Sequence, residues 1–169
     1  MPRLSLKEIL KPALTLTLIC LCVAGALAAV NALTAAPIAA NEKRGADLAR
    51  QQIFPGAEFE SGGDYFIAKK DGAVIGYCVE TEAQGYGGAI KVATGLGPQG
   101  DIVRVQVVAC DGETPGLGTK VKEEGFLGQF IGQKNAAGVD DIASATYSSR
   151  GVVHAVNQAL EIYGEVIAP

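Results

Sequence analysis

Between Pro12 and Asn41 no side chain carries a charge, whereas Asp, Glu, Lys and Arg recur throughout the rest of the chain. Residues 13–33 are apolar apart from Thr15, Thr17, Cys20, Cys22 and Asn31. About 20 helical residues cross a hydrocarbon core of ~30 Å, so this run predicts one membrane-spanning helix. A cleaved leader would share the basic start (Arg3, Lys7, Lys11) and the small residues 24–29, but its apolar core is typically only ~7–15 residues long. Lys43, Arg44 and Arg50 nearly match the three preceding positives, so charge counting biases the topology weakly. The crowding of those three into the first eleven residues favours a cytoplasmic segment 1–12 and an exported remainder. Residues 34–41 read as a short linker.

Beyond the linker the pattern changes twice. Ala46, Leu48, Ala49 and Ile53 recur at helical spacing and predict a helix over 42–52, stopped by Pro55 and Gly56. The period then becomes two. Residues 64–70 and 73–80 flank Asp71-Gly72, a dipeptide suited to a tight hairpin turn with positive φ at both positions. Residues 88–94 and 101–109 read as a second strand pair, with Val103, Val105, Val107 and Ala109 on one face against Arg104 and Gln106. That alternation predicts a sheet covered on one face and partly wet on the other. Residues 115–118 form a glycine-rich loop and 120–131 are weakly helical. Residues 150–163 carry Val152, Val153, Val156, Ala159, Leu160 and Tyr163 on one helical stripe. The class is α+β: an N-terminal membrane helix, then a small antiparallel or mixed sheet packed with helices over 42–169.

Composition narrows the function. In 169 residues, 49% are apolar and 19% charged, which excludes disorder and a large enzyme. Residues 42–169 hold 11 of the 14 basic and 17 of the 18 acidic side chains, a net charge of −6 that argues against nucleic acid as a partner. The single histidine, His154, lies about 200° from Val152 on the last helix and reads as a solvated surface residue. With one histidine, a His-rich metal site is impossible and a Ser/His/Asp hydrolase improbable. Cys20 and Cys22 fall inside the span and read as helix-packing residues; Cys78 and Cys110 are either buried thiols or an exported disulfide. Gly95-Leu-Gly-Pro-Gln-Gly100 matches a dinucleotide fingerprint in letters only. A strand follows it where a helix should open, so it reads as a hairpin loop.

The remaining chemistry lies in residues 140–149, a small, hydroxyl-rich run directly before the last helix. Ser148 or Ser149 suits the N-cap of that helix. The same helix end, with unpaired N–H groups and a positive dipole end, also forms an anion site. A phosphate near Thr146 would meet those donors, with Arg150 close by and with Ala143, Ser144 and Ala145 too small to obstruct it. The Thr146 hydroxyl could carry the phosphate covalently if another enzyme made the transfer.

Three motifs here resemble those of a known family, the flavin-binding domain shared by the G subunit of the Rnf electron-transport complex and the C subunit of the sodium-pumping quinone reductase. Asp140, Ala143, Ser144, Ala145, Thr146 and Ser148 align with its flavinylation motif, where the usual pair is Ser-Gly at the positions of Ala143 and Ser144. Glu113-Thr-Pro-Gly-Leu-Gly118 matches its ETPGLG segment, and Gly85-Tyr-Gly-Gly88 its GYGG segment. The unbroken ETPGLG loop and the short chain are more similar to the Rnf G subunit. The resemblance implies FMN joined to Thr146 by a phosphoester, attached after export by a flavin transferase that uses FAD and magnesium. It implies a cofactor site of Ser144, Ala145, Thr146, Tyr147, Ser148 and Ser149 with the loop Glu113, Thr114, Pro115, Gly116, Leu117 and Gly118. Thr114 and Leu117 are the expected ring contacts, and Asp140 belongs to the segment the transferase reads. The implied role is an electron-relay subunit, single-pass in the cell membrane, in a ferredoxin:NAD oxidoreductase that translocates ions. Such a chain has no substrate site, catalytic residue or metal of its own. The alternatives are the FMN-bearing subunit of a quinone reductase and a membrane-anchored assembly module without redox chemistry.

Overall fold

The computed structural model describes residues 6–167; Arg3, one of the basic residues that bias the topology, lies outside them. Residues up to Asn41 and residues 42–169 form two compact units. Helix α1 (Leu6–Ile53) contains the whole apolar run. Along it Leu14, Leu16, Leu18, Leu21 and Leu27 are each more than half exposed, so the segment is long and apolar enough to cross a membrane. Two of its polar interruptions are satisfied internally: the hydroxyls of Thr15 and Thr17 donate to the carbonyls of Lys11 (3.0 Å) and Ala13 (2.9 Å). The linker expected over 34–41 is helical. Alanine fills four of its eight positions and is the strongest helix former, which outweighs the donor that Pro37 lacks. The helix expected over 42–52 is therefore the end of α1, and it stops at Ile53, just before Pro55 and Gly56.

The second unit is built on a five-stranded antiparallel meander with spatial order β1-β2-β3-β4-β5. Its strands are β1 (Glu58–Ser61), β2 (Tyr65–Lys70), β3 (Ala73–Gln84), β4 (Ala89–Leu96) and β5 (Ile102–Ala109). Asp71 and Gly72 both adopt positive φ (52° and 80°), as a tight β2–β3 turn demands. The glycine-rich run 95–100 is the β4–β5 hairpin, closed by Gly97 N–H on the Asp101 carbonyl (2.8 Å). Strand β1 carries no alternating apolar signal, since three of its four residues are exposed, and it escapes prediction for that reason.

One face of the sheet packs under helix α3 (Thr146–Ile162), which is fixed to β3 by the Thr81 hydroxyl donating to the Ala155 carbonyl (2.8 Å). Val152, Val156 and Ala159 of α3 share this core with Val79, Ile90, Val92, Leu96 and Phe130. Phe130 lies in a chain of short turns: a 3-10 turn Gly118–Lys122, helix α2 (Glu124–Leu127) and a 3-10 turn Gly128–Phe130. His154 is exposed, while Val153 and Leu160 are only partly buried. The other face is partly covered by the end of α1. There Ala49, Ile53 and Phe54 pack on Cys78 and Ala93, and Gly76 and Gly95 leave room for the Phe54 ring and the Ile53 side chain.

The expected alternation of β5 is broken. Val105 and Val107 join the α3 side and Val108 the α1 side, as alternation requires, but Val103 also joins the α1 side. The β4–β5 register shifts between Lys91 and Val92 and again between Gly95 and Leu96, and each irregularity reverses the face that follows.

Cys78 and Cys110 are free thiols buried in the two opposite cores, so the sheet itself separates them. Burial, reinforced by Glu80, pushes the Cys78 thiol up to about 12, and burial also raises Cys110. The thiolate is the reactive form. At pH 8 Cys78 should therefore resist iodoacetamide in the folded protein and react fully after denaturation, as read by peptide mapping. Alkylation at equal rates in both states would contradict this core placement.

Candidate functional site

Three segments far apart in sequence meet at one cavity. The first is the β3–β4 turn, residues 85–88, closed by Gly85 N–H on the Gly88 carbonyl (2.8 Å). The second is the loop after β5, where Glu113 N–H bonds the Cys110 carbonyl (3.0 Å) and Leu117 N–H bonds the Thr114 carbonyl (3.1 Å). Gly116 takes φ +73° at the third position of this latter turn, the conformation for which Pro-Gly is suited. The third is the first turn of α3.

The first two segments approach with no side chain between them. A Cβ on Gly112 would lie 2.6 Å from the Gly87 carbonyl oxygen. Glu113, only 3% exposed, then joins all three segments. Its Oε1 accepts the N–H of Gly87 (3.1 Å) and its Oε2 accepts the hydroxyl of Ser148.

The resulting cavity of 320 Å³ is lined by Tyr86, Glu113, Thr114, Leu117, Gly118 and residues 144–148. Tyr86 (71% exposed) and Tyr147 (73% exposed) stand at it with ring centroids 6.4 Å apart, and Leu117, also in the lining, is partly exposed. Thr146 is the first residue of α3, and the cap position belongs to Ala145, which makes no side-chain cap hydrogen bond. The first N–H to find an intrahelical acceptor is that of Ser149, on Ala145 (2.9 Å). The N–H groups of the first turn are thus open to an anion, beside two exposed aromatic rings. A planar ring system carrying a phosphate fits that combination.

Several expected residues are placed otherwise. Ser148 and Ser149 do not cap α3, because the helix begins at Thr146 and both lie inside its first turn. Ser149 stands outside the cavity; its hydroxyl donates to Ala145 (3.1 Å) and accepts the N–H of Ile142 (3.0 Å), pinning the preceding turn. Pro115 and Gly116 shape the loop but do not line the cavity. Arg150 points away and pairs with Asp141 (3.3 Å), leaving the anion site without its guanidinium. Asp140 lies at the surface, its N–H bonded to Gln129 (2.8 Å). Tyr86 is not among the contacts expected from sequence, although the GYGG segment contains it. Among the described residues no cluster could hold a metal ion.

Residues 85–161 match the FMN-binding domain family, and residues 1–53 match the RnfG N-terminal region. The chain is similar to the G subunit of the proton-translocating ferredoxin:NAD(+) oxidoreductase complex of Clostridium ljungdahlii, at 32% identity over 58% of each chain. It is also similar to the G subunit of the Na(+)-translocating complex of Acetobacterium woodii, at 28% identity over 93% of this chain and 92% of that one. The G subunit of the ion-translocating oxidoreductase complex of Haemophilus influenzae matches at 36% identity over 53% and 50%. The alignments with the clostridial and Haemophilus relatives thus span about half to three fifths of their length. In fold, the chain resembles a crystal structure of the C subunit of the Na(+)-translocating NADH-quinone reductase from Parabacteroides distasonis, with a TM-score of 0.53 and 24% identity over 62% of each chain.

Ser144 occupies the position where the flavinylation motif usually has glycine, and it adopts φ +65° at the third position of a turn closed by Ala145 N–H on Ile142 (2.9 Å). A left-handed conformation costs a non-glycine residue about 1–2 kcal/mol, while glycine gives back ~0.5–1 kcal/mol in chain entropy. Ser144→Gly is therefore expected to raise stability by roughly 0.5 kcal/mol and Ser144→Val, β-branched at positive φ, to lower it by about 1–2 kcal/mol. Thermal unfolding of the unloaded protein checks both signs.

Proposed function

From the matches of residues 1–53 to the RnfG N-terminal region and of residues 85–161 to the FMN-binding domain family, we propose that the chain is a membrane-anchored electron relay of the Rnf G-subunit kind, with FMN in a phosphoester bond to Thr146. One observation carries the attachment point: the Thr146 hydroxyl opens a 17-residue helix whose N-terminus has no side-chain cap and faces the cavity. The helix dipole and the free first-turn N–H groups stabilise the negative charge of a phosphate there. Ser144 and Ala145 leave the approach unobstructed, and Tyr86, Leu117 and Tyr147 offer apolar surface to a ring.

When bound, FMN supplies the capacity to take up and release electrons. The chain then needs no acid, base or nucleophile of its own, and its residues bind, orient and set the surroundings of the cofactor. Thr114 is the further loop residue expected at the ring, while Pro115 and Gly116 act by fixing the turn that presents Leu117. Asp140, exposed near the attachment segment, is available to the flavin transferase that would mature the protein.

The partners in this reading are the other membrane subunits of an ion-translocating ferredoxin:NAD oxidoreductase complex, the assembly to which the relatives' names refer. The apolar helix anchors the chain in the cell membrane as a single pass, with the cofactor domain on the extracytoplasmic side. The match of residues 1–53 to the RnfG N-terminal region favours this assembly over a quinone reductase, to which only the domain fold points.

Coexpression with a flavin transferase should give a yellow chain whose fluorescence survives denaturing electrophoresis and whose mass includes one FMN. Thr146→Val should abolish the adduct without unfolding the domain, because its side chain is close in volume and the hydroxyl makes no cap. Equal labelling of both chains would remove Thr146 as the attachment point.

A further inference from the structure

Among the described residues Glu113 is the only charged side chain lining the cavity, and it is almost wholly buried. Both of its oxygens are bound by neutral donors, the Gly87 N–H and the Ser148 hydroxyl. Among the described residues no lysine, arginine or histidine pairs with it. Burying an unpaired carboxylate is unfavourable even with good donors.

A structural pin does not need the charge. A glutamine at 113 could accept from Gly87 through its oxygen and donate through its amide to the Ser148 oxygen, because a hydroxyl both donates and accepts. The three segments would be held as before, without the cost of desolvating an ion. What glutamine could not supply is a negative charge in the wall of the cavity.

We propose that Glu113 sets the reduction potential of the flavin beside Thr146, holding it low through its buried carboxylate, which has no salt-bridge partner among the described residues. This rests on the flavin reading above and assigns Glu113 a positioning and field role; no bond to the ring is involved. An electron delivered to the flavin by its redox donor adds negative charge inside the cavity. A fixed anion in a water-poor wall opposes that addition far more than an exposed one would. Close approaches crowd the carboxylate, which is only 3% exposed: a Cβ on Gly85 or on Gly118 would strike its oxygens.

The test is a spectroelectrochemical titration of the full chain carrying its covalent flavin, at pH 7 in low and high salt. Glu113→Gln is expected to shift the midpoint upward, with unchanged thermal stability of the unloaded protein or a gain. The difference from wild type should persist at about 1 M salt, since screening acts on exposed charges. Ser148→Ala keeps the charge and removes a donor, so its midpoint should be no higher than wild type. Glu165→Gln, an exposed acid at the far end of the chain, should leave the midpoint unmoved.

A Glu113→Gln midpoint equal to wild type, or a shift that vanishes in high salt, overturns the proposal. Should Glu113→Gln fail to load covalently, the same comparison is made with free FMN in a Thr146→Val background. Retention of flavin in neither form, with unchanged stability, would make Glu113 a binding group and also overturn it. A wild-type chain without flavin removes the functional reading itself and the proposal with it, whereas flavinylated wild type with an unshifted variant removes the proposal alone.

Discussion

Two backbones touch at Gly87 and Gly112, and the walls of the cavity can meet because neither residue has a side chain to keep them apart. The contact brings the Gly87 N–H within reach of Glu113, which in turn reaches Ser148 in the first turn of α3. One carboxylate thereby ties a hairpin turn, a loop and a helix that are separated by 26 and 35 residues in sequence. A Cβ at position 87 or 112 would separate the turn from the loop. Glu113 would then lose the Gly87 N–H that its Oε1 accepts. The glycine-rich segments of the sequence thus reflect a packing requirement at the site; the turn conformation at Gly116 is a separate matter.

Much of the architecture is legible in the sequence because it depends on local chemistry. The Asp71-Gly72 turn follows from two residues that adopt positive φ readily, and the β4–β5 hairpin from glycines placed where a helix could not open. Features set by long-range packing are not legible. The irregularity that moves Val103 to the face opposite Val105 is decided by pairing with β4, and a period-two reading of β5 alone cannot register it. The helical state of residues 34–41 is hidden differently, since Pro37 and the absence of charge favour a linker while the alanines favour helix. Two serines that resemble caps point to a start of α3 that is four residues late, yet in the structure their hydroxyls serve Glu113 and the Ile142–Ala145 turn.

The site divides along the same line. That a helix N-terminus stands near Thr146 can be read from the small, hydroxyl-rich run before an amphipathic stripe. That Tyr86 stands beside Tyr147 cannot, because it depends on the β3–β4 turn folding back across the sheet to α3. Arg150 illustrates the converse error. Its sequence distance from Thr146 allows an approach to the same anion, but its guanidinium lies on another side of the helix and pairs with Asp141. Proximity along a helix places a charge near a terminus without fixing which way it faces.

The open end of α3 carries a cost that the proposed cofactor would offset. Replacing a good N-cap by alanine typically loses about 0.5–2 kcal/mol, and Ala145 leaves this helix in that state, held mainly by the apolar stripe packed on β3 and β4. A phosphate seated over the first turn supplies the missing acceptor. Attachment through the N1 hydroxyl, as proposed, would give it an effective concentration that free ligand would not reach. A tethered group therefore does not require the deep enclosure that retains a dissociable cofactor, and aromatic rings as exposed as Tyr86 and Tyr147 are sufficient walls. The exposure that would weaken a binding pocket would leave one edge of such a ring open, which is the condition the proposed electron relay would need to meet its partners.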